Sequence, residues 1–240
     1  MEGDNGISIT PGHALIVRGA SDIIDEVDEA RRVTNRVVEL LRNGKIAVST
    51  WEDNTSTTQS QNIKALVNWH REQEQALDVS IHFNSVSGGT RDEGIGVEVL
   101  YKTNNFKMKA LSGRVAQAIS ETSGLILRHK WRDEPGSKPV NNIGFLNSLQ
   151  NSILVELCFV NSREDVRKYS DNFEAICQAI VSTVASEGST VIDPRLSDVS
   201  IWAHDAWIWA IENLNMDGTR PRDFITRQEF TVLAKRIAKH

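Results

Sequence analysis

Four side chains in this sequence could do chemistry together: His13 in TPGH, Glu26 in DIIDE, His82 in SIHFN and Glu156 in SILVELCFV. Two imidazoles and one carboxylate form the donor set of a hydrolytic zinc site, which leaves a position open for water. No HExxH helix occurs, so these ligands would have to come from separate segments. Glu156 stands alone among Leu, Val and Cys, where an unpaired carboxylate is costly. Such surroundings raise a carboxyl pKa and suit it to carrying a proton. Taken singly, each residue has a plainer explanation. His13 sits in a Pro-Gly turn, Glu26 is a favoured first-turn helix residue, His82 could be a hydrogen-bonded core histidine, and Glu156 could pair with an arginine. Glu29, one helical turn beyond Glu26, competes with it as a ligand.

The elements that must position these residues follow from periodicity. Ile7–Thr10 reads as a strand ended by Pro11-Gly12. Ala30, Val33, Val37, Leu40 and Leu41 recur at helical spacing over 26–42, and Asn43-Gly44 stops that helix. Strands are predicted at 45–50, 78–84, 96–101, 141–147 and 152–160. Helices are predicted to end near Gln75 and to span 107–123 and 172–185. This alternation predicts an α/β fold, a mostly parallel twisted sheet with helices on both faces. In such sheets sites gather beyond the carboxyl ends of strands, where His13, His82 and Glu156 fall.

The 240 residues carry a net charge of −5 with both signs interspersed, so nothing resembles the basic stripe of a nucleic-acid binder. No apolar run approaches the roughly 20 residues that span a bilayer, so membrane insertion is not expected. Cys158 and Cys177 are too few for a disulfide framework and read as buried free thiols. His70 and His129 lie in polar surroundings and are expected at the surface, and Trp69 in the core or at its rim.

The ordered words ITPGH, GASDIIDE, DVSIHFN, GIGVEVLY and SILVELCFVN resemble the zinc-dependent N-acetylmuramoyl-L-alanine amidases of the type 3 family, in particular the catalytic domains of bacteriophage endolysins. DNTSTTQSQNIKALVNWH is similar to phage amidases of Gram-positive hosts. The resemblance implies one Zn2+ held by His13, Glu26 and His82, with Glu156 as the catalytic glutamate. It also implies cleavage of the amide between N-acetylmuramic acid and L-alanine of peptidoglycan. Asn84, Arg128 and Asn147 are candidates for substrate contacts. The sequence departs from the family at TPGHAL, where many members read DPGHGG. MEGDNGISIT lacks the basic and apolar regions of a secretory leader. The resemblance therefore implies residence in the host cytoplasm until a holin-like partner lets the protein reach the wall.

The catalytic domain is expected over 1–186 and a linker over 187–197. Residues 198–240 would form a small helical module resembling S-layer homology units, through WAHDAWIWA, DGTRP and the capping box Thr226–Glu229. Trp202, Trp207 and Trp209 are its candidate wall-binding residues, with a secondary cell-wall polymer as ligand. With about 45 residues it has little core of its own, so it would dock or build a homodimer. Two other functions fit the same residues: a catalytically inactive wall-binding protein of this fold, and a zinc peptidase cutting within the stem peptide.

Overall fold

The computed structural model describes residues 6–129 and 134–188. By internal contacts the chain divides into two units, Met1–Thr190 and Val191–His240. The first unit contains everything described below. The linker, the C-terminal segment and its three tryptophans lie outside the described residues.

The chain opens with β1 (Ile7–Pro11) and α1 (Glu26–Asn43), then β2 (Val48–Thr50), α2 (Gln59–Gln73), β3 (Leu77–Asn84), β4 (Glu98–Lys102) and α3 (Phe106–Ser123). It continues through β5 (Ser137–Val140), α4 (Gly144–Ser148), β6 (Ser152–Phe159), α5 (Arg163–Asp171) and α6 (Phe173–Gly188). The six strands form one sheet in the order β2-β1-β3-β6-β4-β5. All its pairings are parallel except β4 with β6. The expected mostly parallel α/β sheet is therefore present, with its last two strands reversed.

Alternation along each strand separates two faces. Ile7 and Ile9 of β1, Val79, Ile81 and Phe83 of β3, Val155 and Leu157 of β6, and Val99 and Tyr101 of β4 point one way, into the main core. Three helices close it. α1 buries Val27, Ala30, Val33, Val37 and Leu41 at three- and four-residue spacing, α3 buries Met108, Leu111, Val115 and Ile119, and α6 buries Ile176, Ile180 and Val184. Each such side chain is worth about 1.5–3 kcal/mol of burial. The other face carries Ser8 and Thr10, then Asp78, Ser80, His82 and Asn84, then Glu156 and Glu98. Its apolar cover is smaller: Leu100 and Leu154 meet Val67 of α2 and Phe145, Leu146 and Leu149 at α4.

Local chemistry fixes the ends that matter. Asp25 caps α1, its carboxylate accepting from the backbone N–H groups of Val27 and Asp28. The helix thus begins at Glu26. Thr58 and Gln61 form a reciprocal capping box on α2. Gly124 ends α3 in the left-handed conformation, φ 72°.

One sequence expectation fails next to β5, and one helix appears that was not expected. Residues 141–147 form no strand. The preceding SKPV pairs with β4 instead, and Phe145 and Leu146 of IGFLN belong to the short helix α4, which Ile143 precedes as N-cap. β5 is an edge strand, a sheet position that tolerates Pro139. α5 was not expected. Ser162 caps it by accepting from Asp165 N–H, but it offers only Val166 and Tyr169 as buried apolar residues. Among the described residues no helix is long and apolar enough to cross a membrane.

Candidate metal centre and active site

The turn after β1 delivers His13, the first residue of α1 delivers Glu26, and the end of β3 delivers His82. Their ligand atoms all lie within 4.8 Å of one another. Glu26 Oε1 is 3.3 Å from His13 Nε2 and 3.0 Å from His82 Nδ1. The carboxylate is 3% exposed and also accepts from two backbone amides, Phe83 N–H to Oε1 and Ala20 N–H to Oε2. Burial alone would push its pKa up. The two imidazoles outweigh burial and hold Glu26 well below the usual carboxylate range. Burial lowers the pKa of His82 against the opposing pull of Glu26. A neutral imidazole is the form that binds a metal.

Two glycines make room for this cluster. A Cβ on Gly12 would lie 1.9 Å from His82 Nε2, and one on Gly19 would lie 2.3 Å from Glu26 Oε2. Gly19 also has φ +68°, which an L side chain rarely adopts. His13 Nδ1 is buried with no hydrogen-bond partner. Converging nitrogen and oxygen donors, two of them neutral-capable imidazoles, fit a divalent transition ion with one side open.

The rival carboxylate, Glu29, is engaged elsewhere. It accepts a 2.6 Å hydrogen bond from the Tyr169 hydroxyl and pairs with Arg32. Glu26 is the acid beside both histidines.

Glu156 pairs laterally with His82 across β3–β6, and Glu98 pairs with Glu156 across β6–β4. The three therefore form a row on one face of the sheet. Glu156 Oε2 is buried without a hydrogen-bond partner. Burial first, then the charges of Glu26 and Glu98, raise its pKa well above the ordinary value, with Lys138 acting the other way. The arginine that might have paired with it, Arg128, goes to Glu98 instead.

Glu98 is the functional-site residue that the sequence reading missed. It is fully buried and accepts from Arg128 Nε at 3.0 Å, His129 Nε2 at 2.7 Å, Lys138 Nζ at 2.9 Å and Asn84 Nδ2 at 3.2 Å. Burial would raise its pKa, but these partners hold it below the ordinary value. Its signal was available, since GVEVL isolates one acid in an apolar strand as LVEL does. Asn84 and Arg128 thus lie at the site, linked through Glu98. Asn147 does not: its amide donates to the Asn141 carbonyl, and it lines a shallow pocket with residues 102–107, at the far end of β4.

Neither histidine expected at the surface is exposed: His70 is buried and His129 is half-buried. His70 is 1% exposed. Its Nδ1 lies 2.7 Å from Asp78 Oδ1 and its Nε2 lies 2.9 Å from Thr10 Oγ1. Both ring nitrogens are thus satisfied, one by the Asp78 carboxylate and the other by the threonine hydroxyl. It looks like a hydrolase triad, but Thr10 is wholly buried and unreachable by substrate. Its role is to tie α2 to β1 and β3 just below the His13 turn. His129 is held by Glu98. The polar neighbours that suggested exposure are adjacent only in sequence. Trp69 stacks on Trp51. Both cysteines are free and buried. Burial raises both thiol pKa values, that of Cys177 to about 12, so neither is a nucleophile.

This arrangement could hold a metal ion beside a carboxyl with a raised pKa, a combination suited to amide hydrolysis. Residues 7–186 match the family model described as N-acetylmuramoyl-L-alanine amidase, and the chain belongs to that family. Comparison with curated protein sequences gives no match. Among solved structures, the chain is similar to the CwlD amidase of Clostridioides difficile, determined in complex with the GerS lipoprotein. That match has 20% identity and a TM-score of 0.63, covering 77% of this chain and 98% of that one. It is similar to the catalytic domain of the CD27L endolysin, which targets Clostridia difficile, at 21% identity and TM-score 0.63, covering 75% and 97%. It is also similar to the amidase Ami1 of Mycobacterium smegmatis, at 19% identity and TM-score 0.60, covering 77% and 98%. At these identities the likeness speaks for the fold.

Proposed function

We propose that the protein is a zinc-dependent peptidoglycan amidase of the phage endolysin kind, cutting between N-acetylmuramic acid and the L-alanine of the stem peptide. The observation that carries this reading is the convergence of His13, Glu26 and His82, with unpaired Glu156 one strand away on the same face. Family membership supports the choice of bond.

His13, Glu26 and His82 would hold the zinc ion. When bound, it supplies Lewis acidity toward the amide carbonyl and toward water. Glu26, held by the Ala20 and Phe83 amides, cannot rotate away from the two imidazoles. Glu156 takes the proton from the attacking water and returns it to the departing L-alanine nitrogen. Its raised pKa brings it toward the operating pH, where one carboxyl serves both transfers. The partly exposed edge at β3 and β6 admits the substrate, while the packed opposite face keeps the row of side chains in place.

Residues 198–240 would tether the enzyme to a wall polymer, directly or as a homodimer, and raise its effective concentration there. Release from the host cytoplasm would fall to a holin-like partner.

The test is clearing of a Gram-positive wall suspension by the zinc-loaded protein, with and without a chelator, followed by end-group analysis. New L-alanine amino groups without new reducing sugars support the amidase. New amino groups from within the stem would indicate a peptidase. No clearing by the loaded protein would leave a wall-binding protein of this fold.

A further inference from the structure

The ion-pair group around Glu98 contains more positive charge than the buried carboxylate requires. Two oxygens of one side chain receive Arg128, His129 and Lys138. Burying a carboxylate demands a partner, and one cation would suffice. Arg128 spends only Nε on Glu98, with its guanidinium carbon 4.6 Å above the Phe159 ring, so among the described residues its two terminal nitrogens make no hydrogen bond. Lys138 gives Glu98 one of its three donors. Both side chains reach the surface, 26% and 33% exposed, whereas Glu98 is 1% exposed. Glu98 therefore acts as a buried anchor with two rigidly based cations standing at the edge of the site. Its strand neighbour is Glu156, and the charge of Lys138 is felt there.

A substrate of the proposed kind has its charges on one side. The glycan is neutral once its lactyl carboxyl is tied up in the amide. The carboxylates lie on the stem peptide. We infer, on the basis of the function proposed above, that Arg128 and Lys138, set in place by Glu98, form a carboxylate-binding wall that takes an acidic residue of the stem peptide and so fixes which side of the scissile amide faces β4 and β5. Paired donors held on a buried anchor suit a carboxylate better than a hydroxyl, because charge-assisted bonds are shorter and stronger.

The experiment uses the full, zinc-loaded chain and two soluble substrates, N-acetylmuramoyl-L-alanyl-D-glutamic acid and its diamide. The expected ratio of kcat/KM favours the acid by about tenfold, the size of one charge-assisted hydrogen bond. Arg128→Gln and Lys138→Gln should each bring the ratio toward one, and Arg128→Lys should keep part of it. Added salt should lower the wild-type ratio, an arm that depends on no variant. A wild-type ratio of one, a ratio indifferent to salt, or a ratio unchanged in both glutamine variants overturns the inference and leaves the amidase reading standing. Cleavage of neither substrate by the loaded wild type, with no clearing of walls, overturns both.

Discussion

The two faces of the sheet differ in what each gives up. One is lined by Ile, Val, Leu and Phe and sealed by α1, α3 and α6, so nearly every side chain there serves stability. The other carries serine, threonine, aspartate, histidine and glutamate on the same strands, one residue out of step, under the lighter cover of α2 and α4. Its carboxyl edge holds the metal-binding cluster and an unpaired acid. A single strand such as β3 takes part in both roles, with Ile81 and Phe83 facing one way and His82 the other. The packed face keeps the chemical face in register, and the chemical face includes groups that a stability-driven sequence would avoid.

The largest expected effect breaks the chemical face alone. His82→Ala should abolish tight zinc binding and reduce wall clearing to background, with the far-ultraviolet circular dichroism unchanged; metal content after dialysis checks it. Glu156→Gln should retain zinc and lower kcat by about 10²–10⁴-fold.

The same variant sharpens the comparison through pH. Folded metal-free protein keeps the Glu156 proton above 4.5, the ordinary value at which the unfolded chain releases it. The folded state then binds more protons, so this group makes stability fall as pH rises from about 4.5 toward its raised folded value. Metal-free Glu156→Gln lacks that penalty and should melt higher than wild type at neutral pH, the two converging near pH 4. Equal melting at neutral pH would mean that Glu156 is not buried unpaired.

On the packed face the pattern should invert. Leu41→Ala should cost about 2–5 kcal/mol in urea unfolding while leaving kcat per folded molecule near wild type. His70→Ala tests the region between the two roles. Leaving Asp78 and Thr10 without their partner should cost about 1–3 kcal/mol, with a smaller loss of activity than His82→Ala.

The packed face was legible in the sequence because it repeats. α1, α3, β3 and β6 were read within a few residues of their ends from spacing alone, and the stop at Asn43-Gly44 held. β5 and α4 were misread because a short edge strand containing proline and a five-residue helix leave no periodic signal. On the chemical face, His13, Glu26 and His82 were named from motifs and do converge. Glu26 was preferred to Glu29 from its place after the GASDI stretch, and the structure adds the physical reason, since Tyr169, far off in sequence, takes Glu29. His70 and His129 were opaque for a similar reason, and Glu98, although isolated in the apolar strand GVEVL, did not show its partners. Each is explained by a partner on another strand or helix: Asp78 and Thr10 for the first, and the Glu98 group for the other two.

The reversal of β4 has a consequence for how such a chain could change its preferences. The forward strands, the turn after β1 and the start of α1 carry every group that would touch the ion or the travelling proton. The backward pair, β4 and β5, begins at the same edge and supplies only the flanking wall. Segments leading into those two strands can lengthen or shorten without moving a group that touches the ion, whereas a change at Glu98 or Lys138 themselves would also be felt at Glu156.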